Sequence, residues 1–305
     1  MRKQFVKSSI KIASENEKLV ILAGDIGVYG FRQFKEMFPK RYYNIGICEQ
    51  TIIGIASGLS MFGFYPVMHS ITPFIVERCF EQIKDDFYYQ KLGATIVSVG
   101  GTFDYSSLGC THHSYSDIGL FRTLPNAEIF TPCDIDEFAR IYKTVYNNNK
   151  LTYIRLTENN IKFPNKLESN IYKGIRISSG NDISLFVAGP QLKNALSVLE
   201  LSKKRDISID LCYFSCLNPV DIQLVVESAR KTKKVITLEE NLITTSFGSI
   251  ISSILDKFDN IAIHRIGIKD FVRDYGTYSE LLQLEGLTDK KIMQEIEVLL
   301  DEQNH

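Results

Sequence analysis

The chain lacks an excess of charge, a long apolar run and a cysteine framework, and each absence removes a class of function. Across 305 residues, 35 Lys and Arg meet 36 Asp and Glu, a formal net charge of −1. So balanced a charge gives no electrostatic reason to expect nucleic acid or a membrane as partner. The longest apolar runs, such as residues 19–23, fall far short of the roughly 20 residues that span a bilayer. Basic residues open the chain, but no apolar segment follows them, so secretion is not expected. Cys48, Cys79, Cys110, Cys133, Cys212 and Cys216 are scattered. Cys212 and Cys216 have no second pair to complete a zinc site, so free thiols in a reducing cytoplasm are expected, and a cytoplasmic location with them. Gly24, Gly27 and Gly30 follow an apolar run but are not spaced as in the dinucleotide-binding fingerprint, and read as a tight loop.

What is present is an ordinary globular composition, 44% hydrophobic and 23% charged, in a chain long enough for two domains. Short apolar runs at 18–23, 42–47, 64–69, 94–99, 127–130 and 151–156 read as strands. Helical patterns at 51–61, 74–90 and 134–146 lie between them, the last opened by Asp134 as a cap. A polar, irregular stretch follows at 159–181. A second series then places strands at 183–188, 207–213, 234–238 and 261–266, and helices at 192–202, 220–231, 246–258 and 289–301. This alternation predicts an α/β chain of two doubly wound domains with parallel sheets. The limits expected are 1–165 for the first domain, 166–178 for a linker and 179–305 for the second.

Glu49, in Tyr43-Asn44-Ile45-Gly46-Ile47-Cys48-Glu49-Gln50, stands between an apolar run and a helix rich in small residues. It reads either as an ordinary first-turn acid that complements the helix dipole, or as a buried carboxyl able to hold a proton near neutrality. Thr111-His112-His113 lies in a Gly/Ser/Thr-rich loop between two strands, where α/β proteins place ligands. Adjacent histidines in an extended loop point opposite ways, so at most one faces a site, and a solvated loop is the alternative. Phe74 and Phe80 lie at helical spacing and read as core or as cofactor contacts. Arg78 reads as an ion-pair partner for Glu77 or Glu81.

In order, these pieces resemble one family. The segments 24–27 and 38–50 look like the pyrimidine-binding domain of transketolases and 1-deoxyxylulose-5-phosphate synthases. Residues 74–82, Thr111-His112-His113, Arg122-Thr123-Leu124-Pro125-Asn126 and Thr131-Pro132-Cys133-Asp134 continue the likeness. Asn218-Pro219-Val220-Asp221 and Leu238-Glu239-Glu240-Asn241 extend it into a transketolase C-terminal-like domain. Full-length members also carry a diphosphate-binding domain with a Gly-Asp-Gly…Asn metal motif, which this sequence does not contain. The resemblance therefore implies the C-terminal subunit of a split transketolase, acting with an N-terminal diphosphate-binding subunit, in an α2β2 heterotetramer.

The resemblance implies thiamine diphosphate shared with the partner subunit, whose Mg2+ or Ca2+ the partner holds; no metal site is expected on this chain. It implies Glu49 and His112 as catalytic residues, with Glu49 exchanging a proton or hydrogen bond with the cofactor's aminopyrimidine. Ile47, Glu49, Phe74 and Arg78 are implied as cofactor-binding, with Phe74 stacking on the pyrimidine. His112, His113 and Arg155 are implied as substrate-binding. Two positions depart from the family pattern. Leu108 stands where many relatives carry an Asp that binds a substrate hydroxyl, and Glu158 where split relatives often carry an Arg that serves a sugar phosphate. Glu158 would repel a phosphate. The expected reaction is two-carbon ketol transfer from a ketose or related donor to an aldehyde or sugar acceptor, with a modified sugar as substrate. Alternatives are the β-subunit of a 2-oxo acid decarboxylating acyl or acyloin transferase, and a non-catalytic regulatory partner of a thiamine enzyme.

Overall fold

The computed structural model describes residues 1–163 and 170–301. Residues 166–169 of the expected linker lie outside the described residues. The first series of strands comprises β1 (Leu19–Ala23), β2 (Tyr42–Asn44), β3 (Tyr65–Ile71), β4 (Ala94–Val99), β5 (Glu128–Phe130) and β6 (Leu151–Arg155). The second comprises β7 (Ile175–Arg176), β8 (Ile183–Ala188), β9 (Ile209–Phe214), β10 (Cys216–Asn218), β11 (Lys234–Leu242) and β12 (Ala262–Ile268). They form a seven-stranded sheet, β10-β5-β6-β4-β3-β1-β2, and a five-stranded sheet, β12-β11-β8-β9-β7.

Every pairing is parallel except two. The strand β7, inside the stretch expected as a linker, runs antiparallel to β9. The strand β10, from the second half of the chain, runs antiparallel to β5 and so extends the first sheet. Both are too short to show a periodicity in sequence. The central strands β1, β4, β6, β8 and β9 are buried along their whole length. Such continuous apolar burial is what parallel strands covered on both faces require.

The helices are α1 (Arg2–Glu15), α2 (Arg32–Met37), α3 (Glu49–Met61), α4 (Phe80–Gln82), α5 (Asp117–Arg122) and α6 (Ile135–Val145). They continue as α7 (Leu192–Lys203), α8 (Ile222–Thr232), α9 (Phe247–Leu255), α10 (Tyr278–Leu284) and α11 (Asp289–Asp301). The Asp134 side chain accepts from the amides of Asp136 and Glu137 and caps α6. The helix expected at 74–90 is not regular. π-helical turns at Pro73–Glu77 and Ile83–Tyr89 flank the short α4. Wider turns of this kind re-aim side chains and recur at functional sites. Among the described residues no helix is long and apolar enough to cross a membrane.

One apolar cluster bridges the two sheets. It joins Phe121, Leu124 and Ile129 to Phe214, Leu217 and Phe247. Burying side chains of this size stabilises by roughly 1.5–3 kcal/mol each, so the loops at the ends of the first sheet are held against the second half.

Candidate active site

The first sheet reverses its build direction between β1 and β3: β2 lies on one side of β1, and β3, β4, β6 and β5 follow on the other. In open α/β sheets the crevice beyond the strand ends at such a reversal is where ligands bind. Three residues converge there. Gly24 follows β1, Ser70 sits near the end of β3, and Glu49 opens α3.

Glu49 is only 1% exposed. Its Oε1 accepts from Ser70 Oγ at 2.8 Å and its Oε2 from Arg78 Nη1 at 3.0 Å. The two readings of Glu49 are thus both realised: it is a first-turn residue and it is buried. A Cβ on Gly24 would come within 2.8 Å of Ser70 Oγ and 3.3 Å of Glu49 Oε1. Only glycine lets the strand end approach the carboxyl this closely. Ile47, on the loop that enters α3, is 70% exposed.

Phe74 is carried on the first π-helical turn and is partly exposed. The Arg78 guanidinium lies over its ring, 4.4 Å from the centroid. His112 meets Phe74 edge to face at 5.2 Å and is itself partly exposed. Its Nδ1 lies 2.9 Å from Thr111 Oγ1. Glu77, expected as a partner of Arg78, instead accepts from Ser114 Oγ at 3.1 Å and Ser116 Oγ at 2.7 Å. It therefore pins the histidine loop to the π-helical turn, and burial raises its pKa. Arg78 turns the other way, to Glu49.

The loop's backbone is fixed by close packing. Gly100 has φ 81°, and a Cβ there would strike the Tyr105 ring at 2.4 Å. A bridge between Thr102 and Ser114 closes the loop's base.

The structure therefore brings together Glu49, Phe74, Arg78 and His112. Ile47 takes no part in the contacts that join them and is linked to Glu49 through the chain. It sets apart two residues that were expected to bind substrate. His113 is 3% exposed, packs against Phe103 and places Nε2 3.1 Å from the Ser106 carbonyl. Burial lowers its pKa. The segment is a turn rather than the extended loop expected, with the amides of His112 and His113 both donating to the Gly109 carbonyl, and from it the two rings diverge. Arg155 is 5% exposed and donates to Asp117 Oδ1 at 3.1 Å and to Asn241 Oδ1 at 2.9 Å. Asn241 in turn donates to Asp117 Oδ1 at 3.0 Å. Arg155 is thus a cross-domain tie, because its fork is consumed by partners from both halves of the chain.

Sequence reasoning missed four residues around this crevice: Ser70, Arg2, Tyr105 and Asp104. Ser70 carries a signal, since it lies near the carboxyl end of a buried strand next to the reversal. The others do not, because α1 approaches from far away in sequence. Arg2 pairs with Glu158 at 3.0 Å and donates to the Tyr105 hydroxyl at 2.5 Å. Tyr105 touches His112 edge to face at 5.9 Å. Asp104 accepts from the Glu158 amide at 3.1 Å, and its pKa is pushed up to about 7, chiefly by burial and then by Glu240. Arg2, Lys7, Asp104, Thr157 and Glu158 line a cavity of about 550 Å³ at this end of the sheet. Leu108 is 54% exposed on a short turn of the same loop.

The donor set fits one end of thiamine diphosphate. A buried carboxyl, an aromatic face and a glycine-cleared approach suit an aminopyrimidine. Among the described residues no group of three or more His, Cys, Asp or Glu side chains is gathered to hold a metal ion.

Comparisons with known proteins place both halves of the chain in one family. The family described as transketolase, pyrimidine binding domain, matches residues 1–164, and the transketolase C-terminal domain matches residues 173–292. A putative transketolase C-terminal section from Methanocaldococcus jannaschii is 28% identical, covering 97% of this chain and 95% of that protein. An apulose-4-phosphate transketolase subunit from Phocaeicola vulgatus is 27% identical, covering 95% of this chain and 94% of that protein. A 6-deoxy-6-sulfo-D-fructose transketolase subunit from a Clostridium species is 24% identical, covering 100% and 95%. Among solved structures, a split gene transketolase described as an inactive β4 tetramer superposes with a TM-score of 0.89 at 27% identity, covering 98% of each chain.

Proposed function

We propose that this chain, which belongs to the transketolase family, supplies the pyrimidine-binding half of a thiamine-diphosphate site and works only with a second subunit. The observation that carries this reading is the burial of Glu49 between Gly24 and Ser70 at the sheet reversal, with the Phe74 face beside it.

Thiamine diphosphate, when bound, supplies the electron sink for breaking and making a carbon–carbon bond next to a carbonyl. The residues of this chain bind and orient it and manage protons. With the cofactor bound, Glu49 would face the pyrimidine ring nitrogen and exchange a hydrogen bond or proton with it. Ser70 fixes the direction of that carboxyl by holding Oε1, while Oε2 accepts from Arg78. Phe74 offers the stacking face, and the exposed Ile47 an apolar contact. His112, braced by Phe74 and Tyr105, stands where it can hydrogen-bond substrate oxygens and relay a proton during ketol transfer. His113 and Arg155 hold the scaffold.

Residues 1–165 are read as the pyrimidine-binding domain and 179–305 as the C-terminal domain, set in the cytoplasm. The partner is an N-terminal diphosphate-binding subunit that brings the metal and diphosphate ligands, in an α2β2 assembly. Support comes from relatives that span nearly this whole chain and are themselves described as subunits or as a C-terminal section.

The substrate is read as a modified sugar. Two relatives are named for apulose 4-phosphate and 6-deoxy-6-sulfofructose. Glu158, where split relatives often carry an Arg, is paired with Arg2 and lines a cavity of mixed charge beside Lys3, Lys7 and Asp104, which sets this position apart from an ordinary sugar-phosphate site. Ketol transfer appearing only on mixing the two subunits with cofactor and Mg2+ tests the function. Comparable turnover by either subunit alone refutes it.

A further inference from the structure

Arg78 makes, within the chain itself, the two contacts that define the pyrimidine subsite. Its Nη1 donates to Glu49 Oε2 at 3.0 Å, and its guanidinium carbon sits 4.4 Å from the centroid of Phe74. A guanidinium is planar and cationic and presents N–H donors along its edge. It stacks on an aromatic face and donates to a carboxylate in the same plane. Arg78 holds the carboxylate oxygen that Ser70 does not and lies over the Phe74 ring, so an aminopyrimidine seated on Glu49 and Phe74 competes with it for both.

We propose that Arg78 is an internal stand-in for the aminopyrimidine: in the chain without cofactor its guanidinium fills the subsite, and cofactor entry requires it to turn out. This inference rests on reading Glu49 and Phe74 as the pyrimidine subsite, and deepens that reading by naming what holds the subsite closed.

The surroundings suit such an exchange. Arg78 is 40% exposed, so its side chain has solvent to turn into, whereas Glu49 is 1% exposed. It follows the π-helical turn Pro73–Glu77, at the break before α4. A buried carboxylate left without a partner is costly. Arg78 therefore keeps Glu49 paired and aimed while the second subunit and cofactor are absent. Ser70 keeps its hold on Oε1 when Arg78 leaves, so the carboxyl does not lose its direction during the exchange.

The test uses the full chain without its partner and the pyrimidine fragment 4-amino-5-hydroxymethyl-2-methylpyrimidine as probe, followed by saturation-transfer NMR titration. Arg78→Ala is expected to bind the probe about tenfold or more tighter than the unaltered chain, and Arg78→Ala/Glu49→Gln is expected to lose that gain. Circular dichroism of each variant checks that it is folded. Binding by Arg78→Ala that is equal to or weaker than that of the unaltered chain, or undetectable in both, overturns the proposal. If Glu49→Gln alone still weakens binding in that case, the pyrimidine reading stands and the stand-in role falls. A gain in Arg78→Ala that survives the added Glu49→Gln refutes the pyrimidine reading itself, because the probe is then not seated on Glu49.

Discussion

Ser70 Oγ donates to Glu49 Oε1 at 2.8 Å and so locks the first residue of α3 to the carboxyl end of β3 across 21 positions of sequence. The hydrogen bond turns a helix-terminus acid into an oriented, buried group. Gly24 completes the arrangement by leaving the room it needs.

Gly24→Ala is expected to push Ser70 and Glu49 apart, since the new Cβ would lie 2.8 Å from Ser70 Oγ and 3.3 Å from Glu49 Oε1. Overpacking of this kind costs about 1–3 kcal/mol. Urea unfolding should report that loss. Activation of the cofactor in the reconstituted enzyme should fall about tenfold or more, the equivalent of 1.4 kcal/mol. Unchanged activation would mean that the approach of strand end to carboxyl has no functional weight.

Arg155→Ala is expected to behave as a stability mutation. It removes the cation from Asp117, which is 0% exposed and keeps only the neutral donors Tyr153 and Asn241, and it removes the tie from Arg155 to Asn241. Removing one partner of a buried pair costs about 3–5 kcal/mol. A double-mutant cycle with Asp117→Asn, read by urea unfolding, should give a coupling of about 1 kcal/mol or more. A stable Arg155→Ala protein with only a raised KM would restore the substrate role to Arg155.

How much of this is legible in the sequence differs from element to element. The strands β4 and β8 are found at the limits expected, because runs such as Ala94–Val99 are fully buried on both faces and leave no other reading. The helix α11 likewise matches. By contrast α1 has no clear signal: its buried apolar residues, Phe5, Ile12 and Ala13, are interleaved with lysines and serines, and Ser8 and Ser9 share their buried face. Only packing against the sheet makes it a helix. The strand β10 has three residues, and its partner lies in the other half of the chain. No local pattern can announce that. In the site, Glu49, Phe74 and His112 are legible through resemblance. The turn of Arg78 toward Glu49 is not, because it depends on where the π-helical turn aims the side chain.

Acid should destabilise the chain through His69. Its ring is 1% exposed among Phe5 and Phe31, with Nδ1 2.6 Å from the Val97 carbonyl, and burial lowers its pKa from 6.5 to about 4. Between those values the unfolded chain binds more protons than the folded one. The contribution is therefore complete above pH 6.5 and is lost as pH falls toward 4, amounting to about 3 kcal/mol. Asp104, Glu137 and Glu239 work in the opposite sense, because burial raises their pKa values to about 7, about 7 and about 8, and their contributions are lost as pH rises. The His69 part is therefore read as the difference between the unaltered protein and His69→Gln rather than from the total. Urea unfolding from pH 6.5 to 4 should show a shallower loss for His69→Gln than for the unaltered protein. An equal loss would rule His69 out as the source.

Substrate choice should respond to position 158. The pair Glu158–Arg2 at 3.0 Å places a carboxylate beside the cavity of about 550 Å³. Turnover of xylulose 5-phosphate with ribose 5-phosphate by the reconstituted enzyme is expected to be poor. Glu158→Arg should raise it about tenfold, the equivalent of 1.4 kcal/mol. High initial turnover on that pair would refute the modified-sugar reading.

The central claim is that Glu49 activates the cofactor only when another chain supplies the other half of the site. Hydrogen–deuterium exchange at C2 of thiamine diphosphate, followed by NMR, measures that activation. With the diphosphate-binding subunit and Mg2+ present, the unaltered chain should accelerate exchange, and Glu49→Ala should reduce the acceleration about 100-fold or more. This chain alone should leave exchange at the rate of free cofactor. Undiminished exchange with Glu49→Ala, or full acceleration by this chain without its partner, would contradict the account.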